Sequence, residues 1–498
     1  MRYVSTRDSS INITAAGSIA RGLSSDGGLY TPSNLPKIST NDISRLCTTD
    51  YAGRAKTIMK LFLDEFTEAE LEAYAKAAYG PDNFDHPGVA PLFKLKDRLY
   101  FLELWHGPTS AFKDMALQIL PHLLTASLRK TGETKKVRIL VATSGDTGKA
   151  ALEGFRDVGG TEILVFYPRD GVSEMQKLQM TTQEGKNVGV CAVEGNFDDA
   201  QSGVKEIFSD VSLKQKLEDQ NVFLSSANSI NWGRLLPQIV YYISAYCDLI
   251  NSGGIIPGES INFCVPTGNF GNILAGYLAL RMGLPIHKLI CASNANNVLT
   301  DFFSTGIYDR NRALIASASP SMDILISSNL ERLLYYMSDG DSRAVRFYMN
   351  SLAKDGRYRI DGELVARLST VFAAGYCDDD ETKQEINSVF RSHGYLIDTH
   401  TAVASKVLSQ YRKDRGDNSP CVIVSTASPY KFSGSVLSAL GEMKAALSGF
   451  EQMDWLYKIT GAPIPEKLNE IRTKAVRFNR TVKKEDMKKA VMDLSRLF

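Results

Sequence analysis

The sequence predicts an α/β protein: open, mostly parallel sheets covered by helices, with a helical N-terminal region and helical insertions. Three observations predict it. From Val137 onward, short apolar runs alternate with helical patterns, strand then helix, repeatedly. Loops rich in glycine and hydroxyl residues follow several of those runs, where a strand end feeds a helix. The chain has 498 residues, too many for one compact core, so two or three domains are expected.

Residues 1–90 read as a mostly helical region. Residues 22–30, GLSSDGGLY, are a turn-rich loop, which local physics reads as a connector. Thr67 and Glu70 make a capping box; Leu71, Tyr74, Ala75 and Ala78 recur at helical spacing, and Gly80-Pro81 stops that helix. Residues 92–104 read as a hairpin turning at Lys96-Asp97-Arg98, and residues 115–129 as a helix. Strands at 137–142, 163–167, 188–193 and 222–224, each with a following helix, form one unit; strands at 261–265, 288–292 and 421–425 belong to another. Residues 300–395 break the alternation and read as a helical insertion. After Phe450 the chain is charged and amphipathic, with helices at 466–478 and 484–497. The expected domains are therefore 1–90; a large α/β domain of 91–135 and 255–450 carrying the insertion; a smaller α/β domain of 136–254; and C-terminal helices at 451–498.

Composition excludes several classes. The 57 basic and 56 acidic residues nearly cancel, so nothing marks a nucleic acid or an anionic membrane as partner. The first thirty residues contain no apolar core of a signal peptide. The greasiest stretch, residues 235–250, is interrupted by Pro237, Gln238 and Asp248 and is shorter than the roughly 20 residues a membrane span needs. Cys47, Cys191, Cys247, Cys264, Cys291, Cys377 and Cys421 are scattered and odd in number. They read as free thiols of a reducing, cytoplasmic compartment, with no metal-binding pair.

The stretch around which the chemistry gathers is Trp105-His106-Gly107-Pro108-Thr109-Ser110-Ala111-Phe112-Lys113-Asp114. A strand enters it, Gly107-Pro108 turns it, and a helix leaves it, so Lys113 stands at a helix head. The positive end of the helix dipole disfavours an ammonium there and favours a nucleophilic amine that can form an imine with an aldehyde. Gly268, Asn269, Phe270, Gly271 and Asn272 follow a strand and open a helix. Two glycines let backbone N–H groups converge on an anion, and a phosphate suits the place. Residues 143–148, which include Ser144, Asp146 and Thr147, suit a carboxylate or phosphate. Asn228, Ser229 and Arg234 form a candidate clamp for a second phosphate. Thr426, after the last strand, offers a neutral hydroxyl that can bond a ring nitrogen without protonating it. A nucleophilic lysine, a phosphate cup, a carboxylate loop and a neutral hydroxyl together point to pyridoxal 5'-phosphate.

At this point the chain resembles the threonine synthase family of fold-type-II pyridoxal-phosphate enzymes, over nearly its whole length. Residues 22–30 resemble the family's G-L-x-x-D-G-G-L motif, and residues 106–114 its cofactor-lysine motif. Residues 143–148, 228–234, 268–272, 319–324 and 426–432 fall in the family's order. The length is similar to the long bacterial and fungal class. The resemblance implies that Lys113 joins the cofactor covalently and is the catalytic residue. It implies that Gly268 to Asn272 hold the cofactor phosphate, that Thr426 faces the ring nitrogen, and that Asp146, where relatives often carry Asn, lies near the phenolate oxygen. Ser144 and Thr147 would take the substrate carboxylate; Asn228, Ser229 and Arg234 would take its phosphate. The implied reaction converts O-phospho-L-homoserine and water to L-threonine and phosphate, in a monomer or, alternatively, a homodimer. Two rivals stay open: a threonine/serine dehydratase of the same fold, and a non-catalytic relative that binds phosphorylated ligands.

Overall fold

The computed structural model describes residues 1–143, 145–170 and 172–493. Two parallel sheets dominate. In the larger, the strands run in the order Phe372–Tyr376, Ile286–Ser293, Ile261–Pro266, Cys421–Ser425, Leu99–Glu103 and Leu92–Lys96. All neighbours are parallel except the last pair, which is the expected hairpin. The smaller sheet runs Thr481–Val482, Val188–Val193, Thr161–Pro168, Lys136–Ala142 and Val222–Ser226, all parallel. Ile261–Pro266 and Val188–Val193 are buried at every residue, because helices cover both faces of a parallel sheet.

The N-terminal region contains strands as well as helices. Arg2–Ser5 pairs antiparallel with both Asn12–Thr14 and Tyr30–Pro32. The inserted region holds helices Leu330–Met337 and Ser342–Asp355 and a short ribbon of Ile307–Asp309 with Arg357–Arg359.

Three local readings are modified by packing. The single helix expected at 115–129 is two, Asp114–Leu117 and Leu120–Lys130. Pro121 starts the second, since proline fits a helix's first turn but not its interior. The C-terminal helix expected at 466–478 stops early, at Glu466–Asn469 and a short 3₁₀ turn. The chain then extends and adds Thr481–Val482 to the edge of the small sheet. There Ala192 N–H donates to Arg480 O and Glu194 N–H to Val482 O, both at 2.9 Å, which covers an otherwise open sheet edge. The last helix, Met487–Met492, is shorter than the expected 484–497, whose residues 494–497 lie outside those described.

The greasy stretch around Pro237 forms the buried helix Trp232–Asn251. Almost every residue of it is buried, as a helix apolar on all sides must be in a large core. Arg54 anchors it from the N-terminal region, donating to Ser244 Oγ at 2.7 Å and Asp248 at 2.6 Å. Among the described residues no helix is long and apolar enough to cross a membrane.

Candidate active site

The strand-end loops of both sheets open onto one cavity of about 900 Å³. Its wall includes Lys113, Thr143, Asp146, Thr147, Asn228, Ser229, Arg234, residues 268–272 and Thr426, so loops far apart in sequence meet there. Ser144 lies outside the described residues. The 22–30 loop, read locally as a connector, also lines the cavity, through Gly22, Leu23, Ser24 and others.

The glycine-rich loop has the form of an anion cup. Phe270 adopts φ 62°, a left-handed conformation, and turns the chain into the helix Gly271–Met282. The carbonyls point outward: Ser327 Oγ donates to Gly268 O at 2.6 Å, and Asn329 donates N–H and Nδ2 to Asn269 O, both at 3.1 Å. Among the described residues no N–H of Gly268, Asn269 or Phe270 donates within the protein, and the helix's first turn adds further free N–H groups. Tyr241 and Tyr242 donate to Asn272 Oδ1 at 2.6 and 2.7 Å, while its buried Nδ2 has no partner. Glycine is required at 268: a Cβ there would stand 2.7 Å from the carbonyl oxygen of Ser321.

Arg234 is buried beside this cup without a carboxylate partner among the described residues. Its Nη1 donates to Ala227 O at 2.5 Å, and its Nε has no partner. Burial pushes its pKa down to about 10, so it keeps its charge at neutral pH. An unpaired buried guanidinium is expensive unless an anion meets it. The buried Asn228 Oδ1 likewise lacks a partner. The clamp and the cup, expected as separate places, adjoin: a Cβ on Gly271 would lie 3.9 Å from Ser229 Cβ.

Lys113 stands just before helix Asp114–Leu117, with its Nζ 3.3 Å from Asp146 Oδ2 and 3.4 Å from Ser321 Oγ. Burial pushes its pKa below the ordinary lysine value, and neighbouring Lys431 and Arg234 push the same way against the pull of Asp146. Asp146 opens the helix Asp146–Phe155 and is buried. Burial opposes its charge, but Lys431 and Lys113 outweigh it and hold the carboxyl well below the usual carboxylate range. Gln176 Nε2 donates to its Oδ1 at 2.8 Å and Ser321 Oγ to its Oδ2 at 3.2 Å. In the 143–148 loop, Thr143 Oγ1 accepts from the N–H of Gly145 and Gly148, both at 2.9 Å, which fixes the turn that presents Thr147.

Local reading missed several neighbours. Lys431, fully buried, reaches Asp146 Oδ1 at 2.8 Å. His400 Nε2 accepts from Ser321 N–H at 3.2 Å, while its Nδ1 bonds Asp398 at 2.8 Å. Lys431 lies within the 426–432 stretch that drew notice for Thr426. No local pattern distinguishes it from a surface lysine.

The residues fit pyridoxal phosphate. An orphaned donor at Asn272, outward-turned carbonyls in the cup, and a lysine whose pKa is pushed down in the same cavity are what a phosphorylated aldehyde needs.

Comparison with known proteins agrees. Residues 2–79 match the family model "Threonine synthase N terminus", residues 84–427 match "Pyridoxal-phosphate dependent enzyme", and residues 401–491 match "Threonine synthase, C-terminal". A human protein, threonine synthase-like 1, is 42% identical over 432 residues; these cover 85% of this chain, which spans just 57% of that relative. The threonine synthase of Saccharomyces cerevisiae is 36% identical over 522 residues, covering 98% of this chain and 97% of the relative. A crystal structure of pyridoxal-phosphate-bound threonine synthase from Brucella melitensis superposes with a TM-score of 0.87 at 36% identity, over 100% of both chains. By these matches the chain belongs to the threonine synthase family of pyridoxal-phosphate-dependent enzymes.

Proposed function

We propose that the protein converts O-phospho-L-homoserine and water to L-threonine and phosphate. One observation carries this reading: a single cavity holds both a phosphate cup and a second, unpaired buried guanidinium, Arg234. A cofactor phosphate would need only the cup. A second anion site suits a substrate that carries its own phosphate, and a dehydratase acting on serine or threonine has no use for it.

Bound pyridoxal phosphate supplies a conjugated electron sink for an amino acid joined to it. Gly268, Asn269, Phe270, Gly271 and Asn272 would hold the cofactor phosphate, and Lys113 would join the cofactor. Thr426 would present a neutral hydroxyl to the ring nitrogen, and Asp146 would lie toward the phenolate oxygen. Ser144 and Thr147 take the substrate carboxylate. Asn228, Ser229 and Arg234 hold the substrate phosphate and stabilise it as it leaves Cγ. The Lys113 amine would take the proton from Cα of the substrate and serve the later proton transfers at Cβ and Cγ.

The protein acts on a small molecule, with neither nucleic acid nor membrane as partner, and we propose a cytoplasmic monomer. The even charge balance and the seven unpaired cysteines support this.

Incubation of purified protein with O-phospho-L-homoserine, assaying threonine and phosphate together, tests the reading. Equal amounts of both are expected, and none from Lys113→Ala. A keto acid and ammonia formed from serine, with no reaction on the phosphorylated substrate, would establish the dehydratase instead.

A further inference from the structure

We propose that Lys431 is a positioning residue for the reactive lysine: by claiming Asp146 as its own ion partner, it leaves the Lys113 amine without a proton and aimed into the cavity. The proposal rests on Lys113 as the cofactor lysine.

The geometry is that of one carboxylate between two amines. Lys431 Nζ lies 2.8 Å from Asp146 Oδ1, and Lys113 Nζ lies 3.3 Å from Asp146 Oδ2. A single carboxylate offsets a single buried positive charge, and the shorter contact has the length of a charge-assisted bond. The Lys431 side chain has no exposure, and Asp146 is the carboxylate its Nζ meets at ion-pair distance. Its ammonium also donates to Thr109 O at 2.9 Å, which fixes its direction. The second oxygen of Asp146 is shared with Ser321 Oγ, and Gln176 supports the first.

Among the described residues, the charged groups with the largest influence on Lys113 fit the same assignment. Asp146 comes from helix Asp146–Phe155 and attracts a proton to it. Lys431, from the turn Pro429–Phe432, and Arg234, from helix Trp232–Asn251, repel one. Asp114, next in the chain, is turned away to Thr109, whose N–H and Oγ1 reach it at 2.8 and 2.7 Å. Without Lys431, the Asp146 carboxylate would face Lys113 alone, and the pair would be an ordinary buried ion pair with a protonated Lys113. A protonated amine neither attacks an aldehyde nor accepts a proton. The loss of Lys431 leaves no orphan on its other side, because Gln179 Nε2 also donates to Thr109 O, at 3.2 Å.

The test reads the proton on Lys113 directly. Full-length protein freed of cofactor is labelled with trace acetic anhydride across about pH 6 to 11, and the Lys113 peptide is quantified by mass spectrometry. In Lys431→Met the half-ionisation of Lys113 is expected to move up by about one pH unit or more, so that labelling near neutral pH falls about tenfold. Cofactor capture, followed by borohydride reduction, slows in parallel. The double variant Lys431→Met/Asp146→Asn removes both charges of the pair together, so it keeps the measurement possible if the single variant does not fold. It is expected to return Lys113 to the wild-type profile or below. An unchanged Lys113 profile in Lys431→Met, or a raised one in the double variant, overturns the proposal. A wild-type Lys113 that titrates like a free lysine, and captures no cofactor, would instead overturn its assignment as the cofactor lysine.

Discussion

The guanidinium of Arg332 donates twice to the carbonyl oxygen of Tyr30, from Nε at 3.0 Å and from Nη2 at 2.8 Å. The same side chain donates to Ile230 O at 2.6 Å and to Asn329 Oδ1 at 2.5 Å. Asn329 in turn holds the Asn269 carbonyl of the glycine-rich cup. One fully buried side chain therefore joins the N-terminal sheet, the clamp loop and the cup. Replacing Arg332 by Leu removes these donors and leaves buried carbonyls unpaired. A loss of about 3–5 kcal/mol is expected, together with a raised KM for the phosphorylated substrate. Arg332→Lys should recover part of it, since an ammonium cannot reach three places at once. Urea midpoints measure the first effect and steady-state kinetics the second; a wild-type midpoint in Arg332→Leu would contradict the hub.

Arg234 separates the proposed reaction from its dehydratase rival. Arg234→Ala should lower kcat/KM for O-phospho-L-homoserine by about 2–4 kcal/mol, roughly 30- to 1000-fold. Slow elimination from serine or threonine, which carry no phosphate, should change far less. Because Ser229 adjoins the cup, cofactor affinity is titrated in the same variant. Equal losses on both kinds of substrate would return Arg234 to a structural role.

Gly268 has no space for a methyl group, since its Cβ would stand 2.7 Å from the Ser321 carbonyl. Gly268→Ala should push the cup away from the turn that carries Ser321. We expect about 1–3 kcal/mol of overpacking and a cofactor affinity lower by about tenfold or more. Spectroscopic titration with pyridoxal phosphate checks this. Wild-type affinity would show that the turn yields without disturbing the cup.

His106 gives the fold a pH dependence. Burial works against its imidazolium, but hydrogen bonds to Asp85 at 2.6 Å and Glu103 at 2.9 Å outweigh it and hold the pKa up to about 9. The folded pKa lies above the unfolded value of about 6.5, so the folded state binds this proton more tightly. The contribution is complete below about pH 6.5 and disappears as pH rises through 9, and amounts to no more than about 3 kcal/mol. Unfolding of wild type and His106→Gln, compared at pH 6.5 and 9.5, should show a gap that closes at the higher pH. A gap of constant size would mean that the imidazole acts by shape alone.

The alternation of strand and helix was legible in the sequence because periodicity is local: a buried parallel strand is an apolar run, whatever surrounds it. Lys113, the glycine-rich cup and Arg234 were legible for a related reason. Turn chemistry at a strand end announces a ligand loop before the partners of that loop are known. The role of Asp146 was not legible, because a carboxylate at that place is repulsive or stabilising according to what faces it, and Lys431 faces it from 285 positions further along the chain. Nor were the split of the helix at Pro121 and the strand Thr481–Val482. The second forms only because the small sheet has an open edge for it. The sequence by itself determined the alternation of strand and helix in the two sheets and marked the loops and the lysine that line the cavity. The tertiary structure alone decided which charges meet in the cavity, because pairing energies depend on distance and burial, and neither is written in the order of residues.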